Sequence, residues 1–255
     1  WAAYMEAKRL GLYGLTPEEF SARSGKQDED SSALSSNNNS LTEIIKDLST
    51  RQRAIGFVKS EFLSQIYNYR VGRYLVHLVS YRDPKKYTQG VSFEEPKSRK
   101  DAIKKYGSYG EIVWQRHLER KRLRRGIDRC NLCLGFMPAI EELISWRDWF
   151  IAIQPFPITD ADHFVLINKE HRPQISIDEG VLKEIIEFVS QTGEVRLIYN
   201  MVGASITQHL HFQGIFQKLP IEEAQTKLLS QRGKVNISEL VDWPVAGFVL
   251  ESEDK

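Results

Sequence analysis

Cysteine is nearly missing from this chain, with two residues, Cys130 and Cys133, in 255. Two thiols make no disulfide framework, which sets aside the small secreted scaffolds and points to a reducing, cytoplasmic setting. Long apolar runs are missing as well: nothing approaches the ~18 consecutive apolar residues of a membrane span, so no membrane partner is expected. Charge of one sign is lacking. Lys and Arg number 35 against 34 Asp and Glu, and a net charge of +1 gives no global field for a polyanion, so nucleic acid is not the expected partner. A recognised phosphate loop is absent too. The glycines of KKYGSYGE (104–111) would let a backbone approach phosphate, but without the spacing of a known loop. No internal repeat is evident. The opening WAAYMEAKRLGLYGL has neither an initiating Met nor the charged-then-apolar order of a secretory signal, and is expected to belong to a fragment or a processed form.

What is present is ample apolar material, 41% hydrophobic with 11% aromatic residues, enough for one large domain or two small ones. SGKQDEDSSALSSNNNS has almost nothing to bury, so residues 24–40 read as a flexible linker after a short helical piece over 1–23. Ser40 and Glu43 have the spacing of a capping box ahead of LTEIIKDL, so the ordered body, a single domain over 41–255, begins with a helix there. Its early part is basic, notably RHLERKRLRRGIDR within 97–129. Such a run is either a solvated helix or loop, or a local positive field for a polyphosphate.

After Cys133 the pattern becomes regular. WFIAIQ (149–154) and HFVLIN (163–168) read as strands joined by the turn-rich PFPITDAD. Val181, Leu182, Ile185, Ile186 and Val189 recur at helical spacing after the caps Ser176 and Asp178. VRLIYN (195–200) and HLHFQGIF (209–216) follow as strands, and then a polar helix from about Ile221. The order predicts an α+β fold with a mostly antiparallel sheet and flanking helices.

Within the last of those strands, HLHFQ sets His209, His211 and Gln213 at alternate positions, so they share one face while Leu210 and Phe212 take the other. Solvated antiparallel strands alternate in this way too, but six histidines in the whole chain make the doubled use notable. Three polar groups in line suit a nucleophile, a metal ligand or a phosphate-binding set. The CNLC pair is half of a zinc site, a redox pair or chance. Zinc takes four ligands, and the further candidates are His163, His171 and His209. A redox role fits less well, because the pair does not open a helix after a strand.

The stretches CNLCLGFMP, FIAIQPFPITDADHFVLINKEHRPQ, LIYNMVGASITQHLHFQ and WPVAGFVLE, in that order, resemble the histidine triad superfamily. The likeness is to its nucleotidyltransferase branch, which holds galactose-1-phosphate uridylyltransferases, dinucleoside tetraphosphate phosphorylases and GDP-hexose phosphorylases, and it covers about residues 130–250. It implies a histidine-triad-like fold in which His211 is the nucleophile and His209, with Cys130, Cys133 and His171, holds zinc. Gln213 stands where simple histidine triad hydrolases carry a third histidine, and the resemblance assigns it to the phosphate oxygens of a nucleotidylated intermediate. Asn200 and Ser205 match phosphate-contacting positions, although both residue types are equally at home in turns. His163 is expected to be structural, and His77 and His117 lie outside the matched region.

The implied activity is transfer of a nucleoside monophosphate through His211 to inorganic phosphate or a sugar 1-phosphate. A nucleoside diphosphate sugar is favoured over a dinucleoside polyphosphate as donor, and a homodimer is the candidate assembly. A neutral imidazole suits attack on an anhydride whose negative oxygens repel anionic nucleophiles, and a covalent intermediate divides the exchange into two displacements. The alternative is a nucleotide-binding or scaffold protein that keeps fold and metal without turnover.

Overall fold

The computed structural model describes residues 40–72, 74–79, 93–124, 130–159, 162–201 and 204–252. The helical piece expected over 1–23 and the linker over 24–40, Ser40 apart, lie outside the described residues. Helices are α1 (Leu41–Ala54), the single turn α2 (Ser60–Leu63), α3 (Arg99–Tyr106), α4 (Gly110–Leu123) and α5 (Glu179–Thr192). Strands are β1 (Ile66–Val71), β2 (Tyr74–Val79), β3 (Leu143–Trp146), β4 (Trp149–Ile153), β5 (His163–Asn168), β6 (Arg196–Ile198), β7 (His211–Ile215), β8 (Gln225–Arg232), β9 (Val235–Val241) and β10 (Phe248–Ser252). The fold is α+β, and the paired strands of the two larger sheets are antiparallel. Among the described residues no helix is long and apolar enough to cross a membrane.

The residues expected as one domain fall into two compact units. Of the described residues, those up to Tyr67 and those within His77–Phe216 form one, and those within Asn68–Val76 and Gln217–Lys255 the other. In the first, a five-stranded sheet runs in the order β3-β4-β5-β7-β6. Helix α1 starts where the sequence says it should: the Ser40 hydroxyl accepts from the Glu43 amide at 3.3 Å while the Glu43 carboxylate accepts from the Ser40 amide at 2.9 Å. Helix α5 is capped by Asp178, whose carboxylate accepts from the Val181 amide at 2.8 Å. Its buried Val181 and Phe188 join Trp149, Phe164, Leu166, Leu210 and Phe212 in the main core. The indole N–H groups of Trp146 and Trp149 donate to Gln191 and Glu184 of α5, so each large ring buries its apolar body and still satisfies its donor.

Of the two glycines of KKYGSYGE, Gly107 ends α3 at φ 60° and Gly110 serves helix packing. A Cβ on Gly110 would stand 2.4 Å from the Ala102 carbonyl oxygen, so only glycine lets α4 begin against α3. In the described part of the basic run that follows, Lys121 and Arg122 are exposed, but two arginines turn inward. Arg120 is buried and donates to the carbonyls of Pro138 and Glu141, and Arg124 bonds the Gly135 carbonyl and Glu95. These guanidiniums hold the segment that follows Cys133, with their stems packed and their heads satisfied. His117 lies on Trp114 with centroids 5.3 Å apart and contacts Glu95, in keeping with an ordinary packing role.

In the second unit the polar helix expected from Ile221 is absent. One 3-10 turn, Pro220–Glu223, leads directly into β8 of a three-stranded sheet ordered β10-β9-β8. Gly233, with φ at 61°, makes the tight return between β8 and β9, and the β-branched Val235, Ile237 and Val241 favour the pleated surface. Pairing with β9 thus overrides the helical preference of KLLSQ.

Candidate functional site

The two faces of β7 divide as the alternation predicts for His211 and Gln213, while the strand begins only at His211 and leaves His209 ahead of it. Leu210, just ahead of the strand, and Phe212 are buried in the main core, Phe212 lying edge-on to Trp149 at 5.7 Å. On the other face His211 stands opposite Ile167 and Gln213 opposite Val165. That face carries a second apolar cluster, in which Met137, Leu132 and Leu134 from the CNLC segment pack on Ala152, Val165 and Ile167. Gly214, next after Gln213 and on the main-core face, has the Phe164 ring where its Cβ would be, at 2.1 Å, so any side chain there would displace a core ring.

Ahead of β7 the ligand atoms of Cys130, Cys133, His171 and His209 all lie within 4.8 Å of one another. Cys130 Sγ is 3.4 Å and Cys133 Sγ 3.5 Å from His209 Nδ1, and Cys133 Sγ is 3.0 Å from His171 Nδ1. A tetrahedral zinc with ordinary Zn–S and Zn–N bonds has ligand-to-ligand edges of roughly 3.5 Å. Two sulfurs and two imidazole nitrogens are the donors such a closed site takes, so the cluster fits a metal and is compatible with zinc. His209 Nε2–H donates to the Asn168 carbonyl at 2.8 Å, which turns Nδ1 toward the sulfurs. Burial, reinforced by Cys130, pushes the Cys133 thiol up to about 12, and a divalent cation reverses that balance by stabilising thiolate. Of the three histidines open to the CNLC pair, His171 and His209 join it and His163 does not.

His211 is 8% exposed, and its Nδ1–H donates to the His209 carbonyl at 2.8 Å. That bond fixes the proton on Nδ1 and leaves the Nε2 lone pair for chemistry. Burial lowers the pKa of both His209 and His211 below the ordinary imidazole range, outweighing the backbone bond that raises each, so the ring of His211 is neutral at pH 7.

Gln174 was not singled out in the sequence, yet it holds His211 directly. It is 1% exposed. Its side-chain oxygen accepts from the His211 amide at 2.9 Å, and its side-chain nitrogen donates to the carbonyls of His211 at 2.8 Å and Asn200 at 3.1 Å. β6 pairs Ile198 with Gln213, and continuing that register would set Asn200 opposite His211. The Gln174 amide occupies the gap and stands in for a strand neighbour. Tyr199 hydroxyl in turn donates to the Gln174 carbonyl. A polar residue at the end of KEHRPQ, where a loop would be expected, is the only trace of this in the sequence. Asn200 and Ser205 are both exposed, Asn200 near His211 through that shared amide. Gln213 Oε1 meets His163 Nε2 at 3.2 Å.

A family described as a domain of unknown function (DUF4922) matches residues 117–216, which span the cluster, Gln174 and all of β7. Among characterised proteins the chain is similar to galactose-1-phosphate uridylyltransferase from Caldanaerobacter subterraneus, 26% identical over 156 residues, 53% of this chain and 30% of the relative. The enzyme of the same name from Clostridium perfringens is 22% identical over 213 residues, 75% of this chain and 40% of the relative. That from Bacillus subtilis is 25% identical over 122 residues, 45% and 23% of the two chains. The chain therefore spans less than half the length of these relatives. No solved structure matches it.

Proposed function

We propose that this chain, whose matches support its membership of the histidine triad superfamily, is a nucleotidyltransferase or phosphorylase working through a covalent nucleotidyl-histidine at His211. The observation that carries the proposal is the His211 ring: neutral, almost fully buried, with its Nδ1 proton held by the His209 carbonyl and Nε2 left to attack. Nε2 attacks the α-phosphorus of a nucleoside diphosphate sugar, the P–Nε2 bond forms, and the bridging P–O bond breaks with its electron pair leaving on the sugar phosphate. Inorganic phosphate or a sugar 1-phosphate then displaces Nε2 and carries off the nucleoside monophosphate. A dinucleoside polyphosphate meets the same geometry, but the WPVAGFVLE stretch and the Cys and His ligand pattern favour the nucleotide sugar.

The Gln213 amide, one alternation along β7 from His211, serves the phosphate oxygens as donor, and Asn200 and Ser205 are assigned further contacts to them. Cys130, Cys133, His171 and His209 would hold zinc, and with all four ligands drawn from the protein a bound ion would cross-link the segment after α4, the loop after β5 and the entry to β7.

The test is incubation with a panel of UDP- and GDP-hexoses without acceptor, followed by intact-protein and peptide mass spectrometry. One acid-labile nucleoside monophosphate on the peptide containing His211 is expected, and none in His211→Asn, whose amide hydrogen-bonds but is a poor nucleophile. Turnover without an adduct, or full activity in His211→Asn, defeats the mechanism. Tight nucleotide binding with no turnover at all would instead identify a binding protein.

A further inference from the structure

We infer that His163 is a positioning residue that decides which end of the Gln213 amide faces the phosphate, an inference that rests on the transfer reading of the site. His163 opens β5 and is 2% exposed. It pairs across the sheet with Ile215, which makes Gln213 its diagonal neighbour on the same face, within reach of a long side chain.

The assignment follows from one group whose role is fixed. The Ile158 backbone N–H lies 3.2 Å from His163 Nδ1 and can only donate. Nδ1 is therefore the acceptor, and in the neutral ring the proton sits on Nε2. A ring protonated at both nitrogens would set N–H against N–H at Ile158. Nε2–H then faces Gln213 at 3.2 Å and needs an acceptor there, which only the amide oxygen supplies. With Oε1 engaged, the two N–H bonds of the Gln213 amide are its remaining polar end. A phosphate oxygen accepts from them, whereas the reverse amide orientation would set oxygen against oxygen. The chain of bonds from Ile158 through His163 thus makes Gln213 a donor.

The experiment has two arms. In uniformly 15N-labelled wild-type protein, ring nitrogen shifts report the His163 tautomer directly: Nε2–H with bare Nδ1 is expected, and Nδ1–H overturns the proposal whatever the enzyme does. In the second arm the rate of His211 nucleotidylation by UDP- and GDP-hexoses is measured for His163→Phe, Gln213→Ala and the double variant, with metal content and melting temperature recorded for each. His163→Phe should slow nucleotidylation about tenfold in the parent and less than about twofold in the Gln213→Ala background, because a positioning residue acts only through its partner. His163→Gln, whose amide nitrogen donates from near the Nε2 position, should restore the rate to within about threefold of the parent. Equal losses in both backgrounds, or no loss in either, overturn the proposal. A wild-type protein that forms no adduct with any donor sinks the transfer reading alone, and the tautomer measurement still decides the role of His163.

Discussion

Gln174→Leu puts an apolar side chain of similar size in place of the amide and leaves the His211 amide, the His211 carbonyl and the Asn200 carbonyl without the partner described above. Asn200 is exposed and its carbonyl can turn to water, so two buried backbone groups carry the loss. At roughly 1–3 kcal/mol for each buried group left unsatisfied, the variant should lose about 2–6 kcal/mol of stability. For a chain of this size that corresponds to a fall in Tm of roughly 4–24 °C. His211 should also move, so the nucleotidylation rate should drop even where the protein remains folded. Gln174→Glu sharpens the test. A carboxylate still accepts from the His211 amide but sets negative charge against two carbonyl oxygens, so its pKa in the folded protein is raised above the unfolded value of about 4.3. Stability is then fully present below the unfolded pKa, where the acid is protonated and donates, and is lost as pH rises through the folded pKa. Thermal unfolding across pH, beside wild type, reads this out. Wild-type melting in Gln174→Leu, or a Gln174→Glu variant whose stability difference does not change with pH, would refute the argument.

The pKa of His211 is lowered by burial, so the acid limb of kcat/KM for nucleotidylation should be centred below the ordinary imidazole value of about 6.5. The stability linked to this ring is likewise present above the unfolded pKa and lost as pH falls through the folded one, and a rate profile with its acid limb centred above 6.5 would contradict the assignment. Cys130→Ser should lower both metal content and melting temperature, and elemental analysis of the wild type returning less than about a tenth of an equivalent of any transition metal, without chelator, would rule out the closed site. Gln213→His replaces an amide that cannot carry a proton with a ring that can, so the ratio of free nucleoside monophosphate to transferred product should rise. An unchanged ratio would mean that Gln213 does not set the partition between water and acceptor.

Much of the architecture was legible because it rests on local signals. The capping box at Ser40, the cap at Asp178 and the period of α5 each depend on residues within a few positions of one another. The alternation in HLHFQ likewise assigned Leu210 and Phe212 to the core and set His211 and Gln213 apart. Two of the three histidines open to the CNLC pair proved to be its neighbours, a result that ligand chemistry and family resemblance anticipated and spacing alone did not. The failures are non-local. β8 has a helix-compatible sequence and is a strand because β9 pairs with it. Arg120 reads as part of a solvated charge run and is buried on carbonyls 18 and 21 residues away. Gln174 gives no periodic or motif signal, since its partners are backbone groups 26 and 37 residues distant.

Position 209 divides its work between side chain and main chain. The imidazole can be mutated or bound, but the carbonyl that receives the His211 proton belongs to whichever residue stands there, provided the chain follows the same path. Selection on that carbonyl is therefore invisible in the identity of residue 209 and falls on whatever keeps the backbone in place: the Asn168 carbonyl on one side of the ring and the sulfurs on the other. A chelator that strips a cation from the cluster would thus reach the His211 ring without touching it, by loosening the peptide group that decides where its proton resides.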